Sequence, residues 1–204
     1  MSPQSGMSAQ MSEVLAPGVA SHPIPFSRSR VRPDETLQYR LNVMAADVAG
    51  VVSGIGGWLF DRAMAGWRVS VAGSRCAGRC GSGCADCRAL RILGSKAVDV
   101  DGLWPSAQAD AVALTVISTD RSDDHGLAGL RDRGEAVLFF GARAPGVLAG
   151  QVDRVRYRPS AAAVAFKASA LVLLGADQAP AAGETVFRCG RLAGPLDDDL
   201  VPGC

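Results

Sequence analysis

Ala111-Val-Ala-Leu-Thr-Val-Ile117 is nearly continuous in apolar and β-branched residues. A strand with one face in water alternates in polarity. One that does not alternate belongs at the centre of a parallel sheet covered on both faces. Downstream, Ser122 is placed to cap a helix running to Arg133, Gly134 ends it, and Ala136-Val-Leu-Phe-Phe140 reads as a second buried strand. Val152 to Tyr157 alternates as an edge strand, and Pro159-Ser160 opens an Ala-rich helix to Leu174 that Gly175 closes.

Upstream, Trp67 to Ala72 reads as the first strand, Arg88 to Leu93 as a short helical passage closed by Gly94, and Lys96 to Val100 as another strand. Before them Leu41, Met44, Val48, Val51, Val52, Ile55, Trp58 and Leu59 recur at three- and four-residue steps. That spacing predicts a long amphipathic helix between about Glu35 and Ala65. The alternation of elements predicts an α/β fold: a mainly parallel sheet flanked by helices, a Rossmann-like layered sandwich with the long N-terminal helix before the first strand. Residues 1–33, punctuated by prolines and without apolar periodicity, are expected to form a disordered tail. Residues 34–176 form one α/β domain with a Cys-rich loop at 74–88, and residues 177–204 lose pattern and are expected to be a mostly irregular C-terminal tail.

Composition narrows the function classes. With 204 residues, 48% hydrophobic and 20% charged, the chain has the material for one sizeable core. A formal net charge of +1 provides no bulk attraction to nucleic acid or to an anionic membrane. The longest apolar run, Val48 to Phe60, is too short for a membrane span and carries four glycines. With no secretory pattern at the start, a cytoplasmic location is expected, where thiols remain reduced.

The most pointed chemistry is Cys76-Ala-Gly-Arg-Cys80-Gly-Ser-Gly-Cys84-Ala-Asp-Cys87. Thiolates at such spacing converge on one soft metal, and Gly81 and Gly83 let a loop wrap it. Cys76, Cys80, Cys84 and Cys87 are therefore the candidate metal ligands, for zinc ahead of an iron–sulfur cluster. Cys80, Cys84 and Cys87 match the C-x3-C-x2-C triplet of radical S-adenosylmethionine enzymes. Asp86 before the last cysteine, the extra thiol of Cys76 and the short remaining chain argue against that family.

Other motifs are weaker. Gly54-Ile-Gly56-Gly57 lies inside a helical pattern, so close helix packing explains it better than a dinucleotide loop. No G-x-x-x-x-G-K-[ST] loop and no G-x-S-x-G elbow exist. Asp120, Asp123, Asp124 and His125 follow the central strand, where carboxylates complement a helix dipole or serve as acid–base groups. Arg154, Arg156 and Arg158 alternate beside the helix opening at Ser160, a setting for an anionic ligand. A four-thiol loop without a complete catalytic set predicts an intracellular regulatory, small-molecule-binding or scaffolding module holding structural zinc. An iron–sulfur enzyme with its pocket at the strand rim and a thiol redox switch stay open as alternatives.

Overall fold

The computed structural model describes residues 39–73, 83–103, 113–121, 136–148, 150–176, 181–189 and 199–203. Eight strands form one sheet: β1 (Arg40–Ala45), β2 (Arg68–Gly73), β3 (Lys96–Ala97), β4 (Ala113–Ser118), β5 (Ala136–Phe140), β6 (Asp153–Tyr157), β7 (Glu184–Arg188) and β8 (Leu200–Pro202), in the spatial order β3-β2-β1-β4-β5-β7-β6-β8. Strands β3, β2, β1, β4 and β5 pair in parallel. Strand β7 is antiparallel to both β5 and β6, and β8 is antiparallel to β6.

Two expectations are corrected here. The sheet is mixed rather than mainly parallel, because residues 184–188 return between β5 and β6 instead of trailing off. Residues 177–204 thus supply β7 and β8. The chain also enters the domain on β1 and not on a long helix. Leu41, Val43 and Ala45 enter the helix-side core while Met44 packs on the other face, a period of two that runs straight into the helical period after Asp47. The residues expected to form a tail at 1–33 lie outside those described.

Helix α1 (Val48–Met64) starts at the N-cap Asp47, whose Oδ1 accepts the Gly50 amide at 2.7 Å. Helix α2 (Ala85–Ile92) starts at Cys84, and α3 (Ala161–Leu173) at Ser160, whose Oγ accepts the Ala163 amide at 3.1 Å. All three cover one sheet face, joining Leu41, Val43, Val69, Leu114, Val116, Leu138 and Val186 in a single core. On the other face Ile117, Val137, Phe139, Leu148 and Phe187 form a second cluster.

The glycines of α1 admit neighbours. A Cβ on Gly54 would stand 3.0 Å from the Phe140 ring, and one on Gly57 would stand 2.8 Å from Pro159 Cβ. Into the space at Gly57 comes Glu184 of β7, 2% exposed. Its Oε1 accepts the Gly57 amide and its Oε2 the Trp58 amide, both at 2.8 Å. Lys167 of α3, 1% exposed, places Nζ 2.6 Å from Glu184 Oε1 and donates to the Ser53 carbonyl at 2.7 Å. A regular helix would join Ser53 O to Gly57 N–H. Here each bonds to one member of the ion pair.

At the far end of α1, Asp61 receives the Tyr157 hydroxyl at 2.7 Å, the Ser160 amide at 2.9 Å and the Ser160 hydroxyl at 2.6 Å. Among the described residues no helix is long and apolar enough to cross a membrane.

Candidate functional site

In open sheets with parallel strands, reactive groups collect beyond the carboxyl ends of the strands, at the point where successive connections leave in opposite directions. The chain moves from β1 outward to β2 and β3, then crosses back to β4 and β5 on the other side of β1. The switch point therefore lies between β1 and β4. Beyond Ala45, the last residue of β1, stand Ala46 and the exposed Asp47, and beyond Ser118, the last of β4, stand Thr119, Asp120 and Arg121.

Several contacts knit this rim together. Arg121 Nη1 donates to the Ala45 carbonyl at 3.3 Å, tying the end of β4 to the end of β1. The Asp120 amide donates to the buried Ser118 hydroxyl at 3.4 Å. Gly141, just past β5, has φ of 148°, and any side chain there would overlap Thr119. The third loop is thereby held against the second. Asp47 combines a helix cap with exposure: one oxygen is fixed by Gly50 while the carboxylate faces water at the positive end of a 17-residue helix.

Of the site residues read from sequence, Asp120 reaches this rim, whereas Asp123, Asp124 and His125 lie outside the described residues. Cys76 and Cys80 also lie outside them. Cys84 and Cys87 sit on the first turn of α2, with the Cys87 amide donating to Cys84 Sγ at 3.2 Å. Arg154, Arg156 and Arg158 are exposed along and just past β6. The amide and hydroxyl of Ser160 beside them are already engaged by Asp61.

Burial, then the hydrogen bond to Asp61 and the charges of Asp61 and Asp199, push the Tyr157 hydroxyl well above the ordinary tyrosine value, with Arg62 opposing. Burial also pushes the Glu184 carboxyl up, against Lys167 and the two helix amides.

Sequence reasoning passed over Asp47 because the helix was expected to begin near Glu35. An acidic residue followed three positions later by glycine, after an alternating apolar run, is the signal that marks a cap there.

No three His, Cys, Asp or Glu side chains among the described residues gather in a way that could hold a metal ion. Asp47 and Asp120 alone fall short of the three protein ligands a catalytic zinc uses. The described rim residues thus do not by themselves make up a zinc-ligand set.

The sequence matches no protein-family model and no curated relative. Its fold is similar to that of solved deacetylases. The A40926 pseudoaglycone deacetylase Dbv21 superposes with a TM-score of 0.52 at 14% identity, covering 76% of this chain and 98% of that one. A triple mutant of a deacetylase in the teicoplanin biosynthetic pathway gives 0.50 at 13% identity, covering 76% and 99%. The zinc-inhibited form of the teicoplanin deacetylase Orf2 gives 0.50 at 12% identity with the same coverage. At these identities the likeness is one of fold. The expected regulatory, small-molecule-binding or scaffolding role runs against this likeness, since the solved proteins sharing the architecture are enzymes.

Proposed function

We propose that this chain is a hydrolase that removes an acyl group from a small-molecule amide or ester, with its reaction centre at the rim between β1 and β4. The observation that carries the reading is the exposed Asp47 carboxylate at the switch point, fixed by its own helix cap. The shared architecture with deacetylases of A40926 pseudoaglycone and teicoplanin supports it.

In this mechanism Asp47 takes a proton from a water molecule as the water oxygen attacks the acyl carbon. The bond from acyl carbon to nitrogen or oxygen then breaks, the leaving group receives the proton that Asp47 took from the water, and the acid is released. The positive N-terminal end of α1 and the Arg121 guanidinium, anchored on the Ala45 carbonyl, favour the negative charge that develops on the acyl oxygen. A cytoplasmic setting belongs to this reading.

Acetate release from 4-nitrophenyl acetate and from N-acetylglucosamine tests it. Asparagine serves as an N-cap as well as aspartate does, so Asp47→Asn keeps the Gly50 contact and removes only the base. It is expected to lower kcat/KM by about 10²–10⁴-fold with an unchanged melting temperature. Equal turnover by Asp47→Asn and the natural chain, or no turnover of either compound by the natural chain, overturns the proposal.

The set Cys76, Cys80, Cys84 and Cys87 is a separate proposal for zinc, supported by spacing and by the position of Cys84 and Cys87 on one helical turn. It predicts about one zinc per chain, lost in Cys84→Ser. Metal-free protein of unchanged stability removes it.

A further inference from the structure

Helix α3 carries no charge on the face it turns to water. Its span from Ala161 to Leu173 holds one ionisable residue, Lys167, and that side chain is buried against Glu184. The exposed residues are Ala161, Ala162, Ala165, Phe166, Ser169 and Val172. At about 100° per residue they sweep an arc of about 140° along a helix about 20 Å long. Even the Ser169 hydroxyl is turned back onto the Ala165 carbonyl at 3.1 Å. A surface helix places charged and polar residues on its outer side, and one that is apolar all round is a covered helix. On this arc and on the end of α1 stand three of the four large hydrophobic side chains exposed among the described residues: Met64 at 65%, Phe166 at 45% and Val172 at 75%.

Between α3 and α2 runs a groove of about 470 Å³. Ile92 of α2 and Val172 and Leu173 of α3 make it apolar, and Arg88 and Arg91 of α2 line it as well. The two arginines are exposed and three positions apart, so they share one face of α2 and repel each other. Among the described residues neither is in an ion pair, and no carboxylate lines the groove. An apolar centre edged by arginine has the composition of a protein–protein contact surface.

We propose that this groove and the uncharged arc of α3 dock an acidic amphipathic helix of a partner protein. The apolar stripe of that helix lies along Phe166, Val172 and Leu173, and carboxylates on its flank meet Arg88 and Arg91. The charge pattern selects this occupant. Within their spans the three described α-helices carry only Asp61, already held by Tyr157 and Ser160, and Asp86 as acids. A second copy of this chain thus offers the arginines no row of carboxylates. A bilayer is flat on this scale and leaves a groove empty, whereas a helix of about 10 Å diameter lies along one. The surface belongs to the helix layer and is independent of the acyl-hydrolysis reading.

The test uses the full chain and a pair of fluorescently labelled peptides of about five helical turns, with leucine on one face and either glutamate or lysine on the other. Anisotropy titration should show saturable binding of the glutamate peptide, roughly tenfold tighter than of the lysine peptide. Arg88→Glu/Arg91→Glu should reverse that order. Phe166→Ser/Val172→Ser should weaken binding of the glutamate peptide by about tenfold as well. Arg154→Glu/Arg156→Glu, at the far edge of the sheet, should keep the natural Kd. Should the serine variant melt lower, the charge reversal decides, because both of its arginines are exposed and outside any ion pair among the described residues. No saturable binding of the glutamate peptide, or an unchanged preference after charge reversal, overturns the proposal. A dimer in sedimentation velocity, or capture by phosphatidylglycerol vesicles, that Phe166→Ser/Val172→Ser abolishes also overturns it, by giving the face to a second copy or to a membrane.

Discussion

Asp47 and Glu184 both accept amides of α1, one at the first turn in water and the other in the middle of the helix with 2% exposure. At the first turn the amides have no partner within the helix, so a capping carboxylate adds a bond without displacing one. In the middle the amides already belong to the ladder. Glu184 takes the Gly57 amide, and Lys167 occupies the Ser53 carbonyl that this leaves. The buried pair engages an amide and a carbonyl that a regular helix would join, and removing one member leaves the other's charge buried without its partner. Chemically similar contacts thus divide into a solvent-exposed cap and a staple between β7, α3 and α1.

The largest expected effect breaks the staple. Glu184→Ala strands the Lys167 charge and should destabilise by about 3–5 kcal/mol in denaturant unfolding. The double variant Lys167→Met/Glu184→Leu removes both buried charges together, and it should regain most of that loss. If the single and double variants are equally unstable, the pair is not acting as a unit.

Next comes the alkaline limb. Tyr157 stays protonated in the folded chain above its ordinary value of 10.0, where the unfolded chain has lost that proton. The folded state then binds more protons, so stability is fully present below that value and falls as pH rises past it, by up to about 1.4 kcal/mol per pH unit. Tyr157→Phe should flatten this slope in unfolding curves collected above the ordinary tyrosine range. An unchanged slope places the titrating group elsewhere.

The smallest effect is at the exposed cap. Asp47→Ala should cost about 0.5–2 kcal/mol, well below Glu184→Ala, and Asp47→Asn only a few tenths. A loss at Asp47 as large as that at Glu184 would erase the distinction between the two.

Much of the parallel half was legible in sequence. The central position of β4, the strand β5, and the Ser160 cap with Gly175 closing α3 all follow from local pattern. Strand β1 was hidden because its inward residues, Leu41 above all, fall in phase with the stripe of α1. Strand β7 was hidden for another reason. Glu184-Thr-Val-Phe-Arg188 is short, bounded by turn residues, and carries a carboxylate where a core residue is expected. Its fitness for burial depends on Lys167 and on two amides of α1, partners that no window around residue 184 contains. Asp47 at the rim was readable once the cap was recognised, whereas the groove between α2 and α3 required the packing of the two helices itself.

The placement of β7 between β5 and β6 has a consequence during synthesis. A growing chain releases β5 and β6 well before residues 184–188 exist to join them, so each must wait with an unpaired edge. Until β7 arrives, Lys167 lacks the carboxylate it pairs with in the folded domain. Arrival of Glu184 then joins α1, α3 and the second half of the sheet. The order of emergence makes residues 184–188 the keystone of the domain, and a chain interrupted just before them should be captured by chaperones and be prone to edge-to-edge association.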